Sequence, residues 1–118
     1  LKKHHQRVII GPTLGTKSKY ELRNKTFQAA KILHDEGISF AIMTDHPVIS
    51  LSNALTQVGL FVREGLDELS AFRAVTIEAA KILGVEGRVG SIVWNGHPLH
   101  YLTKPAYVLC NGEIVHQA

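Results

Sequence analysis

The sequence predicts an α/β fold built on parallel strands. Two apolar runs, residues 8–10 and 38–44, lack the alternation of apolar and polar residues that marks a strand with one face in water. Each run is therefore predicted to be a strand buried on both faces, as strands are in parallel sheets. A predicted helix separates them, which gives a strand–helix–strand unit. In such folds the chemistry lies at the carboxyl ends of the strands.

The first helix is predicted over residues 21–36. Gly37 follows it, and a glycine at this position often takes the left-handed conformation that ends a helix. Side chains at helical spacing along one side indicate the face that packs inward. These side chains are Leu22, Thr26, Ala29, Ala30 and Leu33.

Three further helices are predicted between the second strand and residue 84. Each should begin at a side chain whose oxygen can accept a backbone hydrogen bond. These capping residues are predicted to be Ser50 or Ser52, Asp67 and Thr76. Gly65 and Gly84 are predicted to end the first and the last of these helices.

Residues 87–118 are predicted to form a small β element, distinct from the strands and helices of residues 1–86. Asn111-Gly112 lies between two short apolar runs. This dipeptide is the strongest short-range signal for a two-residue hairpin turn. Two or three strands alone are marginally stable in water, so the element is expected to pair with further strands. Cys110 lies in one of the apolar runs, and we predict a buried, unreactive thiol there.

The composition indicates a globular protein from a reducing compartment. The 118 residues are 45% hydrophobic, with a net charge of +3, a pI near 9.2 and one cysteine. No apolar run approaches the roughly 20 residues of a membrane span. We therefore predict a cytoplasmic protein with no membrane partner. Basic residues near the start permit nucleic-acid binding, but no aromatic pattern accompanies them, so a solvated surface is the preferred interpretation.

The stretch IMTDHPV, residues 42–48, resembles the end of the eighth barrel strand in metal-dependent amidohydrolases, particularly the imidazolonepropionase-like branch. Residues 8–33 and 62–92 agree with the same family, as do the stretches WNGHPL and NGEIV, in the same order along the chain. The resemblance implies a (β/α)8 TIM-type barrel flanked by a small β-sandwich. A complete barrel needs roughly 250 residues, so we expect only its C-terminal part here. Residues 1–86 would supply the last strands and helices, and residues 87–118 would supply strands of the sandwich.

The resemblance also implies a reaction, the hydrolysis of C–N bonds in amides or cyclic amides with the help of a divalent metal. Zinc is the expected ion. Asp45 aligns with the aspartate of the eighth strand, which makes it the predicted metal ligand and the carboxylate that accepts a proton from the attacking water. An aspartate at a turn is also a common structural residue. His46 and Thr13 are predicted to face a small-molecule substrate or to support a ligand, with structural roles as the alternatives.

The chain departs from the family in its metal ligands. The resemblance implies a His-x-His pair on the first strand and more ligands on the fourth to sixth strands, yet no His-x-His occurs here. Catalytic zinc has three protein ligands, so this chain alone is expected to hold no metal. It would need the N-terminal barrel half or further copies of itself. The alternative function is a non-catalytic binding or assembly module. The family's turn near Ile92 and Val93 is also missing, so we expect that these residues are not adjacent in the parent protein.

Overall fold

Two parallel strands and the helix between them begin the fold. In this computed structural model, residues 6–12, 20–88 and 90–118 are described, the side chains of residues 20–24 and 88 excepted. Strand β1 is Val8–Ile10, helix α1 is Tyr20–Asp35 and strand β2 is Phe40–Ile42. Each residue of β1 pairs in parallel with one of β2. The predicted strand–helix–strand unit is confirmed.

Strand β2 is shorter than the predicted strand over residues 38–44. Its N-terminal part is shortened because the N–H of Ile38 donates to the carbonyl of Leu33 at 2.9 Å and so belongs to the end of α1. Gly37 has φ of 70°, the left-handed conformation predicted for it. Gly65 and Gly84 also have positive φ at the ends of later helices. The three predicted glycine stops are confirmed.

Three helices follow β2, as predicted: α2 is Ala54–Arg63, α3 is Glu68–Val75 and α4 is Ile77–Leu83. Asp67 caps α3 by accepting from the N–H of Ser70 at 3.0 Å, which confirms that prediction. Ser50 caps the short 3-10 helix Leu51–Asn53 that leads into α2. Among the described residues, no helix is both long and apolar enough to cross a bilayer.

The prediction that Thr76 caps α4 with its side chain is wrong. Its hydroxyl donates instead to the carbonyl of Phe72 at 2.7 Å. Helices α3 and α4 are separated by this single residue, so the hydroxyl meets the end of α3 rather than the start of α4.

The core lies between β2 and the helices. Phe27 packs edge-on against Phe61 with ring centroids 5.0 Å apart. Burial of each large apolar side chain contributes roughly 1.5–3 kcal/mol, so this cluster is the main source of stability here. Its buried members are Ala30, Leu33, Phe40, Ile42, Val58, Phe61, Leu66, Ala71 and Ala74.

The face of β1 that points away from the core is partly open, whereas β2 is buried on both faces as predicted, since all three residues of Phe40–Ile42 are buried. Ile9 is 46% exposed, whereas Val8 and Ile10 on either side of it pack against the core. The prediction that β1 is buried on both faces is therefore wrong for the described residues. No element among them covers the outer side of Ile9. Met43, which follows β2, is 38% exposed.

A separate antiparallel sheet follows the helices. Its strands are β3, Ser91–Trp94, β4, Pro105–Cys110, and β5, Glu113–Gln117, in that order across the sheet. Asn111 and Gly112 have φ of 53° and 77°, which confirms the predicted hairpin turn. Ile92 and Val93 pair with the neighbouring residues Val108 and Tyr107 of β4. Strand β3 therefore runs through these two residues without a turn. That they are not adjacent in the parent protein stays a prediction.

The prediction of a buried thiol at Cys110 is wrong, because the side chain is exposed. Cys110 is the last residue of β4, directly before the hairpin turn, and every residue of β5 is exposed as well. Within the described part of the chain this sheet has no second layer over it, so an apolar run here does not become a buried strand.

Candidate functional site

Asp45 lies just beyond the carboxyl end of β2, where the strand turns. Its φ is 56°, a left-handed conformation that aspartate tolerates better than most residues. Its carbonyl accepts from the N–H of Val48 at 2.8 Å, which closes a tight turn. Thr44 before it is buried, whereas the side chain of Asp45 is exposed. The carboxylate is therefore open to a ligand or substrate.

His46 is held next to Asp45 by one hydrogen bond. Its Nδ1 accepts from the N–H of Leu51 at 3.3 Å, and the residue is exposed. A ring nitrogen that accepts a hydrogen bond carries no proton, so the neutral ring is protonated at Nε2. His46 thus offers a donor beside the carboxylate. Thr13, the third predicted site residue, lies outside the described residues. Its neighbours Gly11 and Pro12 are described.

A polar residue that the sequence did not reveal lies beneath this turn. Gln57 on α2 is 0% exposed, and its Nε2 donates to the carbonyl of Met43 at 2.7 Å. The N–H of Met43 donates to the carbonyl of Ile10 at 2.9 Å. The end of β2 is therefore tied both to β1 and to α2. No periodicity signal marks Gln57, because a glutamine in a helix is usually a surface residue.

The described side chains around Asp45 do not by themselves form a metal site. Among the described residues, no three or more His, Cys, Asp or Glu side chains lie close enough together to hold a metal ion. The oxygen ligand that Asp45 offers suits a divalent metal such as zinc, but catalytic zinc has three protein ligands. Asp45 therefore fits as one ligand of such a centre, and the described residues do not complete it.

The histidines of the loop between β3 and β4 have structural contacts instead. His97 bonds through Nε2 to the carboxylate of Glu68 on α3, and its ring lies edge-on to Phe72. His100 accepts from the N–H of Leu102 at 3.2 Å and stacks on Tyr101. These contacts hold the loop in shape and attach it to α3.

A small cavity lies at the other end of β2. Its volume is about 160 Å³, and Ser39, Arg73 and Glu78 are among its lining residues. Arg73 donates to Glu78 at 2.7 Å, and this contact is the main reason that the pKa of the Glu78 carboxyl lies below its ordinary value. Because Ser39 precedes β2 and Asp45 follows it, this ion pair is remote from the predicted site.

Comparison with known proteins identifies the family. The sequence matches the Amidohydrolase family over residues 1–95, most of its length. The chain belongs to the amidohydrolase family. The resemblance seen in the sequence is thus confirmed at family level, while the imidazolonepropionase-like branch stays a prediction.

Two amidohydrolases illustrate the similarity. The crystal structure of an amidohydrolase from Thermotoga maritima MSB8 matches with a TM-score of 0.83 and 33% identity, over 98% of this chain and 33% of that protein. The amidohydrolase tasK of Hapsidospora irregularis is 28% identical in an alignment 96 residues long that covers 74% of this chain and 10% of that protein. The 118-residue chain therefore spans a third or less of the length of these relatives.

Proposed function

We propose that this chain is the C-terminal part of a metal-dependent amidohydrolase that hydrolyses amide or cyclic amide C–N bonds. The observation that carries the proposal is the exposed carboxylate of Asp45, at the carboxyl end of a parallel strand in a chain of the amidohydrolase family. Catalytic residues of (β/α)8 barrels lie at this end of the strands. β1 and β2 would be the last two strands of such a barrel.

Asp45 would act in two ways in this reaction. One carboxylate oxygen would be a ligand of the divalent metal. Such a metal, when bound, makes its water molecule a nucleophile at neutral pH. The carboxylate would also accept the proton of the attacking water and pass it to the leaving nitrogen. Its exposure on a tight turn leaves the oxygens accessible for both roles.

His46 would contact the substrate. Because its Nδ1 accepts from Leu51, its Nε2–H is available to donate to a carbonyl oxygen of an amide substrate. Thr13 would act from the loop after Gly11 and Pro12. The proposed substrate is a small molecule with an amide bond. If the chain belongs to the imidazolonepropionase-like branch, that amide would be part of a ring.

The remaining metal ligands would come from outside these 118 residues, either from an N-terminal barrel half or from another copy of the chain. The partly open face around Ile9 and Met43 favours this arrangement, because the inward side chains of a barrel are covered by its other strands. The alternative is a binding or assembly module that retains the family's sequence without catalysis.

The test uses the polypeptide as its gene encodes it, loaded with zinc and assayed against a panel of linear and cyclic amides. Asp45→Asn should lower kcat by about 10²–10⁴-fold, the range for loss of a general base. Asp35→Asn is the matched control, because Asp35 is an exposed aspartate that pairs only loosely with Lys31 at 3.8 Å. Turnover that is equal in the parent and Asp45→Asn would contradict the proposed role, and no turnover of any amide by the parent would favour the non-catalytic module.

A further inference from the structure

The backbone of Met43, two residues before Asp45, is in contact with both β1 and α2. Its N–H donates to Ile10 at 2.9 Å, and its carbonyl oxygen accepts from Gln57 at 2.7 Å. Gly11 lies against the same carbonyl so closely that a Cβ there would come within 2.3 Å of the oxygen. The end of β1 and a side chain of α2 therefore converge on the backbone of one residue.

Packing alone does not explain the amide of Gln57. The side chain is 0% exposed and shares α2 with the buried Val58 and Phe61. A buried amide is unfavourable unless it is hydrogen bonded, and an apolar side chain of the same shape fills space at least as well. The carbonyl of Met43 is a hydrogen-bond partner of the buried amide, and it lies at the end of β2.

The hydrogen bond between Gln57 and Met43 also closes a loop around the predicted site. The chain leaves Met43, passes through the turn at Asp45 and His46, and enters α2 through the short helix Leu51–Asn53. Both ends of segment 44–56 are thus fixed to each other. Inside the segment, the turn of Asp45 is closed by the N–H of Val48 at 2.8 Å.

We propose that Gln57 is a positioning residue for Asp45, which it holds in place through the backbone carbonyl of Met43. The inference rests on the proposed role of Asp45. A shift of about 1 Å in a reacting group can lower a rate 10²-fold, so a fixed strand end has a direct chemical consequence. Gln57 itself touches neither substrate nor metal in this proposal.

The experiment compares Gln57→Met with Val58→Ala in the polypeptide as its gene encodes it. Gln57→Met keeps the length of the side chain and removes the donor, whereas Val58→Ala shortens the adjacent, fully buried side chain and leaves the donor in place. Three quantities are measured: the zinc dissociation constant by chelator competition, kcat and KM, and the melting temperature. Crystal structures of both variants give the position of Asp45.

We expect Gln57→Met to weaken zinc binding and to lower kcat, each by about 10–100-fold, as loss of a residue that orients a ligand does. KM should change less, and Asp45 should move relative to the parent. Val58→Ala should lower the melting temperature without these effects. If Gln57→Met does not fold, Gln57→Asn, whose amide is one methylene too short to reach Met43, is measured by the same criteria.

Two outcomes separate this inference from the proposed function. Unchanged zinc affinity and kcat in the Gln57 variants, with both lost in Asp45→Asn, would overturn the positioning role alone. Unchanged zinc affinity and kcat in Asp45→Asn would overturn the role of Asp45 and the inference with it. Equal losses in the Gln57 variants and in Val58→Ala would also overturn the inference, because general destabilisation would then explain them.

Discussion

His97 and Glu68 are joined by a hydrogen bond that attaches the loop between β3 and β4 to helix α3. Nδ1 of His97 accepts from the N–H of Leu99 at 3.1 Å, so the proton of the neutral ring is on Nε2, which donates to the carboxylate. Leu99 itself packs against the core. The loop therefore links the antiparallel sheet to the helices by polar and by apolar contacts.

This link predicts a measurable coupling between the two side chains. A double-mutant cycle of Glu68→Ala and His97→Ala should give about 0.2–1 kcal/mol in the free energy of unfolding, because both side chains are about half exposed. Urea denaturation of the parent, both single variants and the double variant measures it. Strictly additive losses would show that the contact contributes nothing.

The ion pair of Arg73 and Glu78 predicts a dependence of stability on pH. Hydrogen bonding to Arg73 is the main cause that lowers the pKa of the Glu78 carboxyl from its ordinary 4.5 in the folded state. The ionised Glu78 carboxylate therefore stabilises the fold fully above about pH 4.5. This stabilisation is lost as the pH falls through the lowered pKa of the folded state. The melting temperature of Glu78→Gln should therefore lie furthest below that of the parent near pH 7, and the difference should shrink towards pH 3. A difference that is constant with pH would contradict this.

Gly11 and Gly37 should respond very differently to the same substitution. Gly11 has φ of 125°, and a Cβ there would lie 2.3 Å from the backbone oxygen of Met43, whereas Gly37 has φ of 70° and open space around it. Gly11→Ala should cost roughly 3 kcal/mol or more, from backbone strain and overlap together. Gly37→Ala should cost about 1–2 kcal/mol, from the left-handed conformation alone. Similar losses of unfolding free energy in urea would show that the contact with Met43 is not tight.

The open face of β1 predicts that the isolated 118-residue chain associates with itself. Ile9 is 46% and Met43 38% exposed beside two strands whose edges are unpaired among the described residues. Such edges pair readily with another chain. Sedimentation velocity at micromolar concentration should show oligomers, and Ile9→Lys should reduce them. Ile32→Lys is the control, because Ile32 is 61% exposed but lies on α1. A monodisperse, cooperatively unfolding monomer would mean that no partner is needed.

Features set by short stretches of sequence were predictable. The left-handed glycines at the helix ends, the cap of Asp67 and the turn at Asn111-Gly112 each depend on a few neighbouring residues. Thr76 and Cys110 were mispredicted for different reasons. The Thr76 hydroxyl bonds locally to the carbonyl of Phe72, four residues earlier, and residue type does not distinguish this bond from a cap of the next helix. The exposure of the Cys110 thiol depends on whether another layer covers the sheet, which periodicity does not encode.

In the candidate site, too, features set by neighbouring residues were predictable and those set by distant residues were not. The apolar run that ends at Asp45 and His46 indicated where β2 stops, and both residues lie at that end. Their chemical roles stay predictions. Gln57 was missed because its partner, Met43, is 14 residues away in sequence and contributes a backbone oxygen. A backbone acceptor carries no residue type that a sequence pattern can detect.

The distance between a bound metal and the carboxylate of Asp45 tests the central claim most directly. Crystals of the gene-encoded polypeptide, grown with zinc and measured at the zinc absorption edge, would locate the ion by anomalous scattering. We expect an oxygen of Asp45 at about 2.0–2.2 Å from zinc, together with ligands from outside residues 1–118. A zinc ion with a complete set of ligands that leaves Asp45 outside coordinating distance would contradict the account.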